Sequence, residues 1–380
     1  MRTVVFRRLP YIILLLHPYV SWRLLPDLLA SNPVACAATA LWLIVSVVAT
    51  PLWPLARRIE RQPLKDRLIF ASMIAIGAFS SLLALTIARD IALGVSGAIG
   101  ADAATAALRY PGALVVLILA AIATLLGYAN ARMRARIRRV DVPIAGLPAA
   151  LDGFSIVQIT DLHVGASIKR RFLERVVDAA NRLGADMIAI TGDLADGSVR
   201  ELAPHTEPLS KLSARHGTFF VTGNHEYYSG VHDWVNEMRR LGLAVLLNEH
   251  IVLVHDGASV VVAGVTDYSA GYFVPSHRSD PAAALAGAPT DAGVRVLLAH
   301  QPRSAFAAAP AGFHLQLSGH THGGQIFPWK YLVRLQQPFT AGLHRVGSLW
   351  VYVSRGTGYW GPPKRLGAPS EITYLRLVRA

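Results

Sequence analysis

Two patterns of hydrophobic residues divide the chain. Long runs of Leu, Ala, Ile and Val predominate up to about residue 130, and short apolar runs alternate with polar, glycine-rich turns from about residue 142. A membrane-spanning helix needs about 20 mostly apolar residues. Three segments have that length, at residues 34–55, 68–87 and 113–129. We therefore expect a membrane domain over residues 1–140 and a second domain over residues 141–380.

The first apolar segment, residues 9–30, is less regular than the others. It contains the run YIILLL but also His17, Pro18 and Arg23. It is either a fourth span or an amphipathic or re-entrant segment. A signal peptide is a third interpretation, but no small-residue cleavage site follows the apolar run and more spans come after it. The pattern thus predicts three or four transmembrane helices.

Basic residues flank these spans unevenly. Residues 57–67 and 132–139 each contain five Lys or Arg, whereas the loop between segments 68–87 and 113–129 is nearly neutral. Because basic loops stay on the cytoplasmic side, four spans with both ends inside fit best; three would place the basic N-terminus outside. We expect an integral protein of the cell (inner) membrane with a cytoplasmic second domain. The stretch 132–139 either holds that domain near anionic headgroups or only stops helix transfer.

The second domain has the pattern of an α/β fold. Runs such as FSIVQI, DMIAI, TFFV, VRVLLA and HLQL are short and rich in Val and Ile, as buried strands are. Helical candidates at residues 169–183 and 231–241 lie between the early runs. Alternating strands and helices followed by a strand-rich end predict a mixed sheet or two packed sheets.

Five polar motifs follow five of these predicted strands. They are DLH, GDLAD, GNHE, AHQP and GHTHGG, which begin directly after or within a few residues of each apolar run. Ligands of open α/β sheets bind beyond the carboxyl ends of the strands. If the strands run in a similar sense, the five motifs converge on one edge.

The residue types in these motifs suit divalent metal ions. Asp161 and His163 alternate, so both side chains can reach one ion, and Asp193 has two oxygens with which to bridge two cations about 3.5–4 Å apart. Asn224 offers a carbonyl oxygen. Imidazole nitrogens come from three more positions: His300, His320 and His322. Such ligands admit Mn, Zn, Fe or Co.

Charge and cysteine content narrow the possibilities. The net charge is +13, but arginines cluster beside apolar runs, as membrane-flanking charges do, so we expect no nucleic-acid partner. The one cysteine, Cys36, lies in an apolar run. A Cys-based metal site, an intrachain disulfide and a nucleophilic Cys in the second domain are therefore excluded.

The five motifs, in this order, resemble the calcineurin-like metallophosphoesterase family over about residues 153–324. The N-terminal spans, the GHTHGGQ block and the tail SRGTGYWGPPKR resemble its membrane-attached subgroup of phosphohydrolases. The resemblance implies a four-layer αββα sandwich with two divalent ions. It implies one ion bound by Asp161, His163, Asp193 and His322, and the other by Asp193, Asn224, His300 and His320.

The resemblance also implies roles beyond metal binding. His225 would face the substrate, stabilising the phosphoryl transition state or protonating the leaving oxygen, and Asp196 could hydrogen-bond and orient it. In the tail, Arg365 is a candidate phosphate contact, and Tyr359 and Trp360 are candidates for a lid or membrane-facing edge, although ordinary packing also explains the aromatics. The protein Ser/Thr phosphatases have an Arg directly after the second Asp of the GD block. This chain has Gly197 at that position, which argues against a phosphoprotein substrate.

The leading hypothesis is a membrane-anchored, two-metal phosphohydrolase. It would cleave phosphoester, phosphodiester or pyrophosphate bonds of a phosphorylated small molecule or a lipid-linked substrate. A membrane receptor or scaffold that binds metal or partners without turnover is the alternative. A transporter with a regulatory domain is a third possibility, although the spans contain few ionisable groups. The sequence specifies neither the metal nor the oligomeric state.

Overall fold

The computed structural model describes residues 2–380, with side chains from residue 11 onward. The side chains of Arg2, Arg7 and Arg8, which contributed to the predicted orientation, lie outside the described residues. Two compact units are present: a helical unit that runs to Asn130 and includes Gly361–Lys364, and a sandwich unit of Ala131–Trp360 with Arg365–Ala380. The predicted division at residue 140 falls inside the first strand, β1 (Arg136–Ile144).

The helical unit contains the predicted long apolar helices. They are α1 (Arg2–Ser31), α2 (Pro33–Ala49), α3 (Leu52–Ala56), α4 (Leu64–Ala98) and α5 (Asp102–Arg132). The break between α1 and α2 is explained by Asn32, whose side chain accepts a hydrogen bond from Ala35 N, and by Pro33 in the first turn. Within the described residues, four helical segments are long and apolar enough to cross a membrane, including Tyr11–Ser31.

Polar side chains of the first helix find partners inside the helical unit. His17 Nε2 lies 2.9 Å from Ser46 Oγ, and the His17 ring stacks on Phe79 at 3.7 Å. Arg23 donates to Asp90 over 2.8 Å. These contacts satisfy groups that would otherwise be costly among apolar helices.

The sandwich unit contains two six-stranded mixed sheets. The first sheet has the order β1–β12–β2–β3–β4–β5 and the second β10–β11–β9–β8–β7–β6. The strands after β1 are β2 (Ser155–Ile159), β3 (Met187–Ile190), β4 (Thr218–Phe220), β5 (Ala244–Val245), β6 (Glu249–His255), β7 (Ala258–Gly264), β8 (Val294–Leu298), β9 (Leu315–Ser318), β10 (Gly342–Val346), β11 (Leu349–Val353) and β12 (Glu371–Arg379). Strands β2 to β5 are parallel neighbours, as are β7, β8, β9 and β11.

Several helices of the sandwich unit pack on the outer faces of the sheets. The helices of this unit are α6 (Arg170–Asn181), α7 (Val199–Thr206), α8 (Asn224–Ser229), α9 (Val231–Arg240), α10 (Pro281–Ala284), α11 (Ala305–Ala311) and α12 (Lys330–Val333). Leu173 of α6 and Trp234 of α9 pack on the first sheet, and Ala308 of α11 packs on the second. A core including Phe219 and Val296 fills the space between the sheets. The predicted four-layer αββα sandwich is therefore confirmed.

Strand β1 was not predicted. Its sequence, RIRRVDVPI, pairs in parallel with β12 from Arg136 to Ile144. Its arginines are exposed because β1 is an edge strand. From the sequence alone these arginines were interpreted as membrane-flanking charge, because the first half of β1 lacks the apolar alternation that indicates a strand. Three of the five arginines of residues 132–139 thus lie on a strand.

Candidate metal centre

The five motifs lie beyond the carboxyl ends of neighbouring strands. Asp161 follows β2, Asp193 follows β3, and Asn224 follows β4 in the first sheet. His300 follows β8 and His320 follows β9 in the second. We call this side of the sandwich the carboxyl edge. These residues are spread over some 160 positions of the sequence. They lie together at this edge because the strands that precede them are parallel within each sheet.

One cluster at this edge combines Asp161, His163 and His322. All three are buried, and each offers a ligand atom within 4.8 Å of the others. His163 Nε2 lies 3.0 Å from His322 Nε2, and His322 Nε2 lies 3.4 Å from Asp161 Oδ1. Two imidazole nitrogens and a carboxylate oxygen thus point at one another.

A second cluster combines Asp193, His300 and His320. His300 Nε2 lies 3.1 Å from Asp193 Oδ2 and 3.2 Å from His320 Nδ1. Asp193 also belongs to a third group with His163 and His225. The same carboxylate therefore lies between the two clusters, as a bridging ligand would.

Two further observations show that these side chains fit metal ions. Among the residues that the structure describes, Asn224 Oδ1 is buried and has no hydrogen-bond partner, which is costly for an amide oxygen unless another ligand meets it. His300 Nδ1 donates a hydrogen bond to Thr191 O over 2.8 Å, so Nε2 is the ring nitrogen that is available to an ion. The donor set of carboxylate, amide and imidazole suits borderline divalent metals.

The backbone is strained where the ligands lie. Left-handed φ values are uncommon for residues other than glycine, yet five of the predicted ligands adopt them. They are Asp161 (53°), His163 (51°), Asp193 (52°), His320 (69°) and His322 (51°). Such strain costs of order 1–3 kcal/mol per residue and persists mainly at functional sites. The strain therefore supports a functional role for this edge.

Glycines allow the motifs to approach one another. A Cβ at Gly223 would lie 2.2 Å from Asp193 Oδ1, and one at Gly319 would lie 2.2 Å from Asp161 Oδ2. Any side chain at either position would collide with a predicted ligand. The glycines of GNHE and GHTH are thus required by close packing.

Glu226 holds two motifs together. Its carboxylate accepts hydrogen bonds from Asp193 N (3.0 Å), Leu194 N (2.8 Å) and Gly223 N (2.6 Å). Burial, followed by the charge of Asp193, raises the pKa of Glu226 to about 7. Its carboxylate therefore caps the start of α8 and also orients the GDLAD loop.

His225 and Asp196 lie beside the metal clusters. Asp196 Oδ1 is 2.5 Å from His225 Nδ1 and 3.1 Å from His163 Nδ1. Burial alone would lower the pKa of His225, but Asp193 and Asp196 outweigh it and raise the pKa to about 9. Burial opposes ionisation of Asp196, yet His163 and His225 hold its pKa well below the usual range. The pair is thus held as an imidazolium and a carboxylate.

Arg365 lies among backbone carbonyl groups. Its side chain is fully buried, and its guanidinium donates to Gly358 O, Arg355 O and Ala368 O. It also lies 3.3 Å from His322 Nδ1. Arg365 therefore holds the backbone beside a predicted ligand, and its phosphate contact stays a prediction.

The two tail aromatics differ from each other. Tyr359 is 2% exposed, so it packs in the core and forms no lid. Trp360 is half-buried, and its ring lies edge-on to His225 with centroids 6.0 Å apart. Packing accounts for Tyr359, while Trp360 borders the predicted catalytic histidine.

Comparisons with known proteins identify the family of this chain. Residues 154–324 match the family described as calcineurin-like phosphoesterase. The chain is 37% identical over 288 residues to a transmembrane protein with metallophosphoesterase domain from Danio rerio, covering 74% of this chain and 66% of that protein. It is 31% identical over 247 residues to an uncharacterized metallophosphoesterase from Aquifex aeolicus (strain VF5), covering 64% of this chain and 91% of that protein.

A solved structure is also similar. The 5'-nucleotidase precursor from Thermus thermophilus has 16% identity and a TM-score of 0.39, over 59% of this chain and 55% of that one. The fold and its carboxyl-edge cluster of metal-ligand side chains define a metal-dependent phosphoesterase domain. The chain belongs to the calcineurin-like metallophosphoesterase family, as its motifs predicted.

Proposed function

We propose that this chain is a membrane-anchored phosphohydrolase that uses two divalent ions, Mn, Zn, Fe or Co. It cleaves phosphoester, phosphodiester or pyrophosphate bonds by attack of water. One observation carries the proposal above all: side chains that follow β2, β3, β8 and β9 meet at one edge in two clusters, and Asp193 of the second cluster also groups with His163 of the first.

The two clusters would each hold one ion. Asp161, His163 and His322 serve the first, and His300 and His320 serve the second together with Asn224. Asp193 lies between them. When bound, such ions supply positive charge that lowers the pKa of water and neutralises phosphate oxygens.

His225 contributes a proton at the same edge. Its Nδ1 is held by Asp196, which leaves Nε2 to face the substrate. A protonated imidazole in that place stabilises negative charge on the phosphoryl group or protonates the leaving oxygen. Asp196 acts through His225 and His163, so we assign it an orienting role.

The presence of candidate membrane-spanning helices favours a substrate at the membrane surface. Among the described residues, four helices are long and apolar enough to span a bilayer, and a freely diffusing substrate would not need an anchored enzyme. We therefore propose a lipid-linked phosphate or pyrophosphate. The basic stretches 57–67 and 132–139 favour a cytoplasmic catalytic domain in the cell membrane.

A hydrolysis screen tests the activity. The full chain, purified with Mn, is offered an aryl phosphomonoester, an aryl phosphodiester and a nucleotide–lipid pyrophosphate. We expect metal-dependent turnover, greatest on the lipid-linked compound. Turnover of none of the three by metal-loaded protein would favour the receptor or scaffold hypothesis instead.

Orientation is tested independently of activity. A reporter fused after Ala380 should behave as a cytoplasmic protein. Reporter activity on the outer side of the membrane would overturn the argument from basic loops and leave the hydrolase proposal intact.

A further inference from the structure

A short segment beyond the last metal motif exposes an unusual share of apolar side chains. Phe327 is 48% exposed, Tyr331 60%, Leu332 56% and Leu335 84%. With the basic residues Lys330 and Arg334, they form what we call the 327–335 patch. Four large apolar side chains within nine residues, exposed together around helix α12, are more than single scattered surface residues.

The side chains of this patch are organised around a cation. The rings of Phe327 and Tyr331 lie 6.2 Å apart, and Lys330 Nζ lies 5.6 Å and 5.1 Å from their centroids. Arg334 is exposed beside Leu335. Aromatic, aliphatic and basic groups mixed in this way are typical of surfaces that lie in the headgroup region of a bilayer.

The charge of the surrounding sequence favours an anionic partner. The patch contains the basic residues Lys330 and Arg334, and no Asp or Glu occurs in the sequence between Asp291 and Glu371. The basic residues Lys364 and Arg365 of the same stretch are buried and add no surface charge. A protein interface of mixed polarity would be expected to contain both signs of charge. Exposed basic residues gain free energy near the anionic lipids of a cytoplasmic leaflet.

The patch is attached directly to the metal centre. A Cβ at Gly324, two residues after His322, would lie 2.2 Å from Lys330 Cβ, so α12 packs against that turn. Gln325 exchanges hydrogen bonds with the backbone of Trp360, at 2.8 and 3.0 Å, and the Trp360 ring borders His225. A surface bound by the patch is therefore kept beside the carboxyl edge.

From these observations we infer that the 327–335 patch inserts its apolar side chains into the surface of an anionic lipid bilayer. The inference concerns where the sandwich unit binds and does not depend on hydrolysis. If it holds, phosphates of the lipid surface lie next to the metal clusters, as a lipid-linked substrate requires.

A nitroxide label at the tip of the patch tests the inference. The chain has one cysteine, so Cys36→Ser gives a background in which Leu335→Cys carries the only label. The full chain is placed in nanodiscs of phosphatidylcholine with phosphatidylglycerol. Collision of the label with oxygen, which is concentrated in lipid, is compared with collision with a water-soluble nickel chelate.

Val254→Cys is the matched control. Val254 is apolar and 67% exposed, but it lies on β6, at the far edge of the second sheet from β10. We expect the label at residue 335 to collide more often with oxygen and the label at residue 254 more often with the nickel chelate. Equal, water-like behaviour at both positions would overturn the inference.

Charge provides a second arm of the test. Either Lys330→Gln with Arg334→Gln or removal of phosphatidylglycerol should shift the label at residue 335 toward the nickel chelate. If the label is instead shielded from both reagents, a second copy or another protein covers the patch, and the lipid assignment fails. Hydrolysis of a soluble aryl phosphate by the charge variant reports on the metal centre separately, because neither residue is a predicted ligand.

Discussion

The two edges of the sandwich carry similar side chains but differ in what those side chains can do. At the carboxyl edge, Asp193 follows β3 and meets several histidines. At the opposite edge, Asp186 precedes the same strand and lies near His216 and His255. The two opposite-edge histidines are 3.0 Å apart, as close as the pairs in the predicted metal centre.

The two edges differ in how many ligand atoms are available to an ion and in how strained the backbone is. Among the described residues, every group of three side chains able to hold an ion lies at the carboxyl edge. Asp186 Oδ2 is already used by Ser155 N and Oγ. The one left-handed residue beside His255, Asp256, belongs to the two-residue turn with Gly257 between β6 and β7, where such a φ is ordinary. A close pair of histidines alone is therefore a weak sign of a metal site.

Loss of the shared carboxylate should have the largest effect. Asp193→Ala removes the carboxylate that groups with His300 and His320 and also with His163 of the first cluster. We expect kcat to fall on the order of a hundred- to ten-thousandfold, because ion stabilisation is worth several kcal/mol. Asp186→Ala, at the other end of β3, is the matched control and should retain kcat in the folded protein. Equal losses in the two variants would remove the distinction between the edges.

Replacement of the proposed proton donor comes next. For His225→Asn we expect a decrease in kcat of about 10²–10⁴-fold, because general acid catalysis contributes about that much. Bound metal should stay at the wild-type level, since His225 is not one of the proposed ligands. A decrease in metal content equal to that of Asp193→Ala would make His225 a ligand and refute the assigned role.

A smaller effect is expected for the orienting carboxylate. Asp196→Asn keeps the shape but loses the charge that holds His225 and His163, and removal of a group that orients a metal-binding histidine costs about 10–100-fold. Steady-state kinetics should show the loss in kcat more than in KM. Wild-type kcat in this variant would mean that the 2.5 Å contact with His225 has no part in catalysis.

The smallest effect is expected at the opposite edge. His255→Gln breaks the pair with His216 and should leave both kcat and metal content unchanged. Metal analysis and the same aryl phosphate assay measure the two quantities. A decrease in either one would show that the opposite edge contributes to function despite its relaxed backbone.

Much of the carboxyl edge could be predicted because each ligand follows a strand that its own sequence indicates. Asp161, Asp193 and His300 each come directly after an apolar run or one or two residues later. Parallel strands then bring them to one edge. The left-handed conformation of Asp161 and Asp193 could not be predicted, since it depends on contacts between motifs distant in sequence.

The sequence did not indicate the structural surroundings of several basic residues. Arg136, Arg138 and Arg139 flank the last apolar helix, but they also lie on edge strand β1, which was not predicted. Arg365 resembles a phosphate contact, yet its guanidinium is enclosed by backbone carbonyls. No local pattern shows that a carbonyl-lined cavity exists at the end of the chain, so its occupant could not be assigned from sequence.

Metal content tests the central claim most directly. The full chain, loaded with Mn and freed of unbound ions, is analysed for metal per chain by elemental mass spectrometry alongside Asp193→Ala and Asp186→Ala. The two clusters predict two ions in the wild type and in Asp186→Ala, and fewer in Asp193→Ala. Two ions retained by Asp193→Ala, or none bound by the wild type, would contradict a centre bridged by that carboxylate.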